Sequence, residues 1–217
     1  MFSWKSNQPA RWMQQGASRL ELVSLSVAEI ERVFNRVREE LWEVGLLEDG
    51  KYLDLIGCDR NWLPSFDGTA AEFYDEGVSR LDDWLGFEEG MIYLRPNARF
   101  GKKPGETLLD TMRHEFGHAW AWRDPAFFER RWFRACFGAA YDEVWCETPA
   151  FDRTEYISVY ATKMPKEDFA ETFMTFLRCR NTLHRFDRRP GVRAKLAVVE
   201  QAIKQASETR LARFAIC

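Results

Sequence analysis

The stretch TLLDTMRHEFGHAWAWR, Thr107–Arg123, decides how the rest of the chain is read. Thr107 with Asp110 can cap a helix, and Asp124-Pro125 stops it, because a residue before proline is pushed out of helical backbone angles. Leu109, Met112, Phe116, Ala119 and Trp120 recur at helical spacing and form an apolar stripe that asks for a core. His114 and His118 stand apart from that stripe. Positions i and i+4 differ by about 40° around the axis, so both imidazoles project the same way and can hold one cation. Glu115 lies about 100° from His114 and about 60° from His118, beside such a cation, where it can take a proton from a bound water without being a ligand. The pattern is HExxH, and its donors suit zinc.

Outward from this helix the chain reads as one domain. Its 217 residues are 46% hydrophobic and 30% charged, an ordinary globular balance expected to bury roughly 70% of the unfolded surface. Seventeen Phe and nine Trp predict an aromatic core. With 31 basic against 34 acidic side chains the net charge is −3, so neither nucleic acid nor an anionic membrane is expected as partner. No apolar run approaches the ~18 residues of a membrane span. The amino-terminal MFSWKSNQPARWMQQ has no signal-peptide core, and the five cysteines include no CxxC pair, so reduced thiols in the cytoplasm are expected. A signal-less export route stays open.

Residues 1–20 read as a polar arm. Ser26 with Glu29 opens an amphipathic helix to about Leu46, ended at Glu48-Asp49-Gly50. Residues 51–57 read as a strand, 58–70 as loop, Ala71–Leu85 as a helix, and Met91–Arg95, closed by Pro96, as an edge strand. Asn97–Gly105 reads as loop. After the HExxH helix come a helical aromatic segment over 126–141, a loop over 144–160, a helix opened by Pro165, and a last helix over about 192–208. The expected class is α+β, mostly helical.

Hydrolytic zinc needs a third protein ligand and an open position for water. Asp124 lies six residues beyond His118, where a compact motif would put it, but that motif needs a helix-breaking Gly and position 121 is Ala. On a continuing helix six residues mean a rotation of about 240°, away from the metal. His184, the only other histidine, stands in an arginine-rich stretch without recognisable spacing. The third source is the helix carrying Glu167 and Glu171, which share one face while Phe169, Phe173 and Phe176 take another. Two carboxylates stacked on an aromatic helix call for a compensating cation, and whichever does not bind metal can accept a histidine ring N–H. Spacing alone leaves both glutamates in play.

HEFGHAWAW, followed about fifty residues later by SVYATKMPKEDFAETFMTFL, resembles the gluzincin metallopeptidases. The resemblance is to the anthrax-lethal-factor type, the clostridial Pro-Pro endopeptidases and a group of bacterial zinc-binding metallopeptidases. It covers about residues 91–180 and reaches neither the first ninety residues nor the last thirty-five. That family has HExxH, then a Tyr, then seven residues on a Glu followed by ExxxE or ExxxD. The resemblance therefore implies Glu167 as the zinc ligand with His114 and His118, Glu171 as the partner of a ligating histidine, and Tyr160 as the catalytic phenol, with Tyr156 as the alternative. It implies a zincin-like fold with a small sheet, in which Met91–Arg95, just before the HExxH helix, takes the place of the edge strand that pairs with extended substrate, although from the residues alone an internal core strand fits equally well. It also implies a zinc-dependent endopeptidase acting on protein or peptide. Glu115 is the general base for a zinc-activated water, and Tyr160 steadies the oxyanion. The other reading is a non-catalytic zinc module with a regulatory or interaction role, against which an intact Glu115 argues.

One more feature stands out. Arg178, Arg180, Arg185, Arg188, Arg189, Arg193 and Lys195 crowd into eighteen residues with one acid, Asp187, so an acidic partner at 178–195 is a candidate.

Overall fold

The computed structural model describes residues 21–22, 27–47, 58–59, 71–74, 91–94, 99–100 and 104–214. The first described helix, α1 (Val27–Glu43), turns Ile30, Val33, Val37 and Leu41 into the core. It stops at Gly45, whose φ of 78° suits glycine, with Gly45 N–H donating to Trp42 and Leu46 N–H to Leu41, both at 2.9 Å. The helix thus ends before the Glu48-Asp49-Gly50 signal.

Five short strands follow or flank it. β1 (Glu21–Leu22) pairs antiparallel with β5 (Arg99–Phe100). β2 (Cys58–Asp59) runs parallel, and β3 (Ala71–Tyr74) antiparallel, to β4 (Met91–Leu94). From Pro104 on, every regular element among the described residues is helical.

The α+β, zincin-like expectation is overturned here. The described protein is mostly helical, and its strands are fragments of two to four residues. Nor is Met91–Leu94 an edge: the order is β2-β4-β3, so β4 is central, paired with β3 along its length and with β2 at Ile92 and Tyr93. The buried Ile92 fits that central place. The helix expected from Ala71 is a strand over 71–74, where Ala-Glu-Phe-Tyr pairs with β4. The loop expected over 97–105 holds β5 and the start of the next helix. The arm at 1–20, Ser26 and the strand at 51–57 lie outside the described residues.

The helical body is built on α2 (Pro104–Arg123), which packs against α1 and against α5 (Pro165–Cys179). Between them run α3 (Pro125–Phe128), α4 (Arg131–Phe137) and a 3-10 turn at Tyr160–Thr162. A second 3-10 stretch (Arg180–Phe186) leads into α6 (Pro190–Phe214), which packs on α5. Met112, Phe116, Ala119 and Trp120 of the apolar stripe are buried, while Leu109 is only partly buried and its neighbour Leu108 takes the core position. Behind α2 an aromatic cluster joins four helices. Phe128 meets Phe169 at 4.8 Å between ring centroids, Trp120 meets Phe128 at 5.2 Å, and Phe133 stacks on Phe137 at 4.7 Å. Such pairs contribute about 0.5–1.5 kcal/mol each beyond area burial.

Gly117, the second x of HExxH, faces α5. A Cβ there would stand 3.1 Å from the Phe173 ring and 3.3 Å from the Ala170 backbone, so glycine lets the two helices meet closely. Among the described residues no helix is long and apolar enough to cross a membrane.

Most of the basic run is used inside the fold. Arg178 pairs with Asp110 at 2.6 Å, Arg180 with Glu43, and Arg193 with Asp187 at 3.5 Å. Arg189 donates to the carbonyls of Arg153 and Tyr156, and buried Lys195 reaches Asp168 at 2.6 Å and the Glu155 carbonyl at 2.8 Å. Arg185 and Arg188 are exposed.

Candidate metal centre

Because α2 and α5 touch at Gly117, the side chains flanking that contact converge. His114 Nε2 stands 3.1 Å from Glu167 Oε2 and 3.2 Å from His118 Nε2, and His118 Nε2 lies 3.5 Å from Glu167 Oε2. Among the described residues this trio is the group whose donor atoms could hold a metal ion. The triangle has the size of one face of a zinc tetrahedron. Bonds of ~2.0–2.1 Å require donor separations of about 3.3–3.4 Å. The donors are two imidazoles and a carboxylate, a set that suits zinc with one position left open.

Electrostatics favour a cation there as well. Glu115, Glu167 and Glu171 bring three carboxylates around two imidazoles, and His114 and Glu115 are buried. Burial alone would depress the His114 pKa. Hydrogen bonds to Glu167 and Glu171 and the charge of Glu115 outweigh it and lift the value from 6.5 to about 10. Burial likewise disfavours the Glu167 carboxylate, yet its bonds to His114 and His118 hold it well below the usual carboxylate range. The pocket concentrates negative charge wherever a proton or metal would sit.

The other predicted residues fall around this triangle. Glu171 Oε1 meets His114 Nδ1 at 3.0 Å, and its Oε2 accepts from Ser158 Oγ at 2.6 Å. Ser158 Oγ in turn accepts the Ala161 amide at 3.2 Å, which ties the turn carrying Tyr160 to the same carboxylate. The Tyr160 ring lies edge-on to His114 with centroids 5.8 Å apart. Burial, the Glu167 and Glu115 charges and a hydrogen bond to Glu167 all raise its pKa, so it stays a protonated donor. Lys163 Nζ lies over the same ring, 4.2 Å from its centroid.

The alternatives stand elsewhere. Asp124 and His184 are exposed and outside the cluster. Tyr156 packs beneath Lys195, whose Nζ is 4.2 Å from its ring centroid.

Two contacts had no sequence signal. Besides Ser158, Tyr141 places its hydroxyl 2.7 Å from His118 Nδ1. It comes from the turn after Gly138, which caps α4 at φ 84°. A cleft of about 730 Å³ opens beside His118, with Trp122, Phe128 and Tyr141 among its apolar walls and Arg134, Glu143 and Lys166 among its charged ones.

Residues 101–214, just over half of the chain, match a family model described as "Putative zinc-binding metallo-peptidase". No curated protein and no solved structure matches.

Proposed function

The chain belongs to this family of zinc-binding metallo-peptidases, and from that premise we propose that it is a zinc-dependent endopeptidase of gluzincin type. The observation that carries the reading is the triangle of His114 Nε2, His118 Nε2 and Glu167 Oε2, with buried Glu115 next to it and outside the donor set. A purely structural site has no use for that extra carboxylate.

His114, His118 and Glu167 would hold zinc, which when bound would supply Lewis acidity and bring the pKa of a water down towards neutrality. Glu115 takes the water's proton as the oxygen attacks the scissile carbonyl, then returns it to the leaving amine. Tyr160, kept protonated, donates to the oxygen that gains charge, a contribution typically of ~3–4 kcal/mol per donor. Glu171 accepts the His114 Nδ1 proton and so directs the Nε2 lone pair inward. With β4 central in its sheet, substrate enters by the cleft beside His118 and not by pairing with that strand as an edge.

A broad peptide library, offered to purified protein with bound zinc verified, tests the proposal. Cleavage by the wild type and none by Glu115→Ala is expected. No cleavage by either, with zinc still bound, would turn the reading to a non-catalytic zinc module. A Glu167→Ala protein that kept stoichiometric zinc would overturn the ligand set.

A further inference from the structure

The two histidines are anchored differently. His114 rests against a carboxylate, Glu171, whereas His118 Nδ1 faces a phenol, Tyr141, at 2.7 Å. We propose that Tyr141 is a positioning residue for the metal centre: its hydroxyl oxygen accepts the His118 Nδ1 proton and thereby presents Nε2 as the ligand atom. The inference rests on the reading that His114, His118 and Glu167 hold zinc.

Proton accounting supports it. His118 Nε2 points at His114 Nε2 and Glu167, so a cation there takes the Nε2 lone pair and leaves the proton on Nδ1. That N–H needs an acceptor, and Tyr141 Oη is the atom in place. A phenol oxygen is neutral, so it fixes the tautomer without adding a fourth negative charge to a pocket already holding Glu115, Glu167 and Glu171.

The hydroxyl is also held still. The Tyr141 ring packs edge-on against Phe128 and Phe133, with centroids 5.5 and 5.6 Å away. The two residues after it tie the same turn to different helices. Asp142 lies 3.7 Å from Lys166 of α5, and Glu143 pairs with Arg134 of α4 at 3.1 Å while accepting the Ala140 amide at 3.1 Å. The turn carrying the phenol is thus tied to α4 and α5 as well as, through Phe128, to α2.

Tyr141→Phe deletes the oxygen and keeps the ring. Zinc affinity, measured by chelator competition, is expected to fall about 10–100-fold, the usual effect of removing such a partner. The melting temperature of the metal-free variant should stay near that of the wild type. In zinc-loaded wild type, nitrogen-15 spectra of His118 should show a protonated Nδ1 and a metallated Nε2. Unchanged zinc affinity in a folded Tyr141→Phe protein would overturn the inference. So would an Nδ1-metallated His118 in the wild type, a result that needs no variant to fold. If the wild type takes up no zinc at all, it is the metallopeptidase reading that fails.

Discussion

Arg113 and His114 are neighbours on α2, both buried, and they sit in opposite electrostatic situations. Arg113 is held by both oxygens of Glu40, at 2.8 and 2.7 Å, and by Asp110 at 2.7 Å. Arg36 and Arg178 complete the surroundings of those acids at 3.2 and 2.6 Å. Three guanidiniums against two carboxylates leave no acid uncompensated. One residue on, His114 stands near three carboxylates, and its hydrogen-bond partners among the described residues are Glu171, Glu167 and His118. A cluster whose acids are all paired is scaffold, here joining α1, α2 and α5. A cluster whose donor atoms converge on one point, with carboxylates around them, is one that a cation suits.

Disturbing each cluster in turn should give effects on different observables. Glu167→Gln removes one of three donors and should weaken zinc binding by on the order of 10³-fold, leaving a folded protein. Circular dichroism together with metal analysis of the same sample checks both halves. Glu40→Ala should do the reverse. It leaves buried Arg113 with Asp110 as its remaining carboxylate partner and should cost up to about 3–5 kcal/mol in urea unfolding, while the folded fraction keeps zinc. If Glu40→Ala lost zinc while remaining stable, the distinction between scaffold and site would collapse.

The third comparison is by pH. The His114 pKa in metal-free protein is raised from 6.5 to about 10, so its contribution to stability is fully present below 6.5 and is lost as pH rises through about 10. Zinc must displace that proton. Apparent zinc affinity should therefore rise by about tenfold per pH unit from pH 7 to 9. The Arg113 cluster supplies the control. Burial works against its charge, but Glu40 and Asp110 outweigh this and raise its pKa, so it stays charged throughout that window. Chelator competition across the pH range would expose the error if affinity were flat.

What the sequence made legible follows from the range of each interaction. The HExxH geometry and the α5 helix rest on spacings of three and four residues, which periodicity reports directly. The choice of Glu167 over Glu171 needed the resemblance, since both occupy one helical face. Tyr141 and Ser158 lie 23 and 13 residues from their partners on turns without periodicity, so nothing local marks them. The basic run reads as a surface patch because its acids are remote: Asp110 is 68 residues from Arg178, and Glu43 is 137 from Arg180. β4 has the composition of a strand, but its central place depends on β2 and β3, which strand composition does not reveal.

The smallest expected effect is the one that tests how closely site and scaffold are coupled. Gly117→Ala should gain about 1 kcal/mol of helix propensity on α2. Against this, the new methyl stands 3.3 Å from the Ala170 backbone and 3.1 Å from the Phe173 ring, and such crowding typically costs about 1–3 kcal/mol. The two terms nearly offset each other, so thermal stability should change little or fall slightly. Zinc binding has no such offset. Moving α5 outward by a few tenths of an ångström shifts Glu167 while His114 and His118 stay on α2, and the donor triangle opens on one side. A several-fold loss of zinc affinity with a nearly unchanged melting temperature is therefore expected. Equal losses in both would mean that α2 and α5 yield as one body, and that Gly117 serves packing alone.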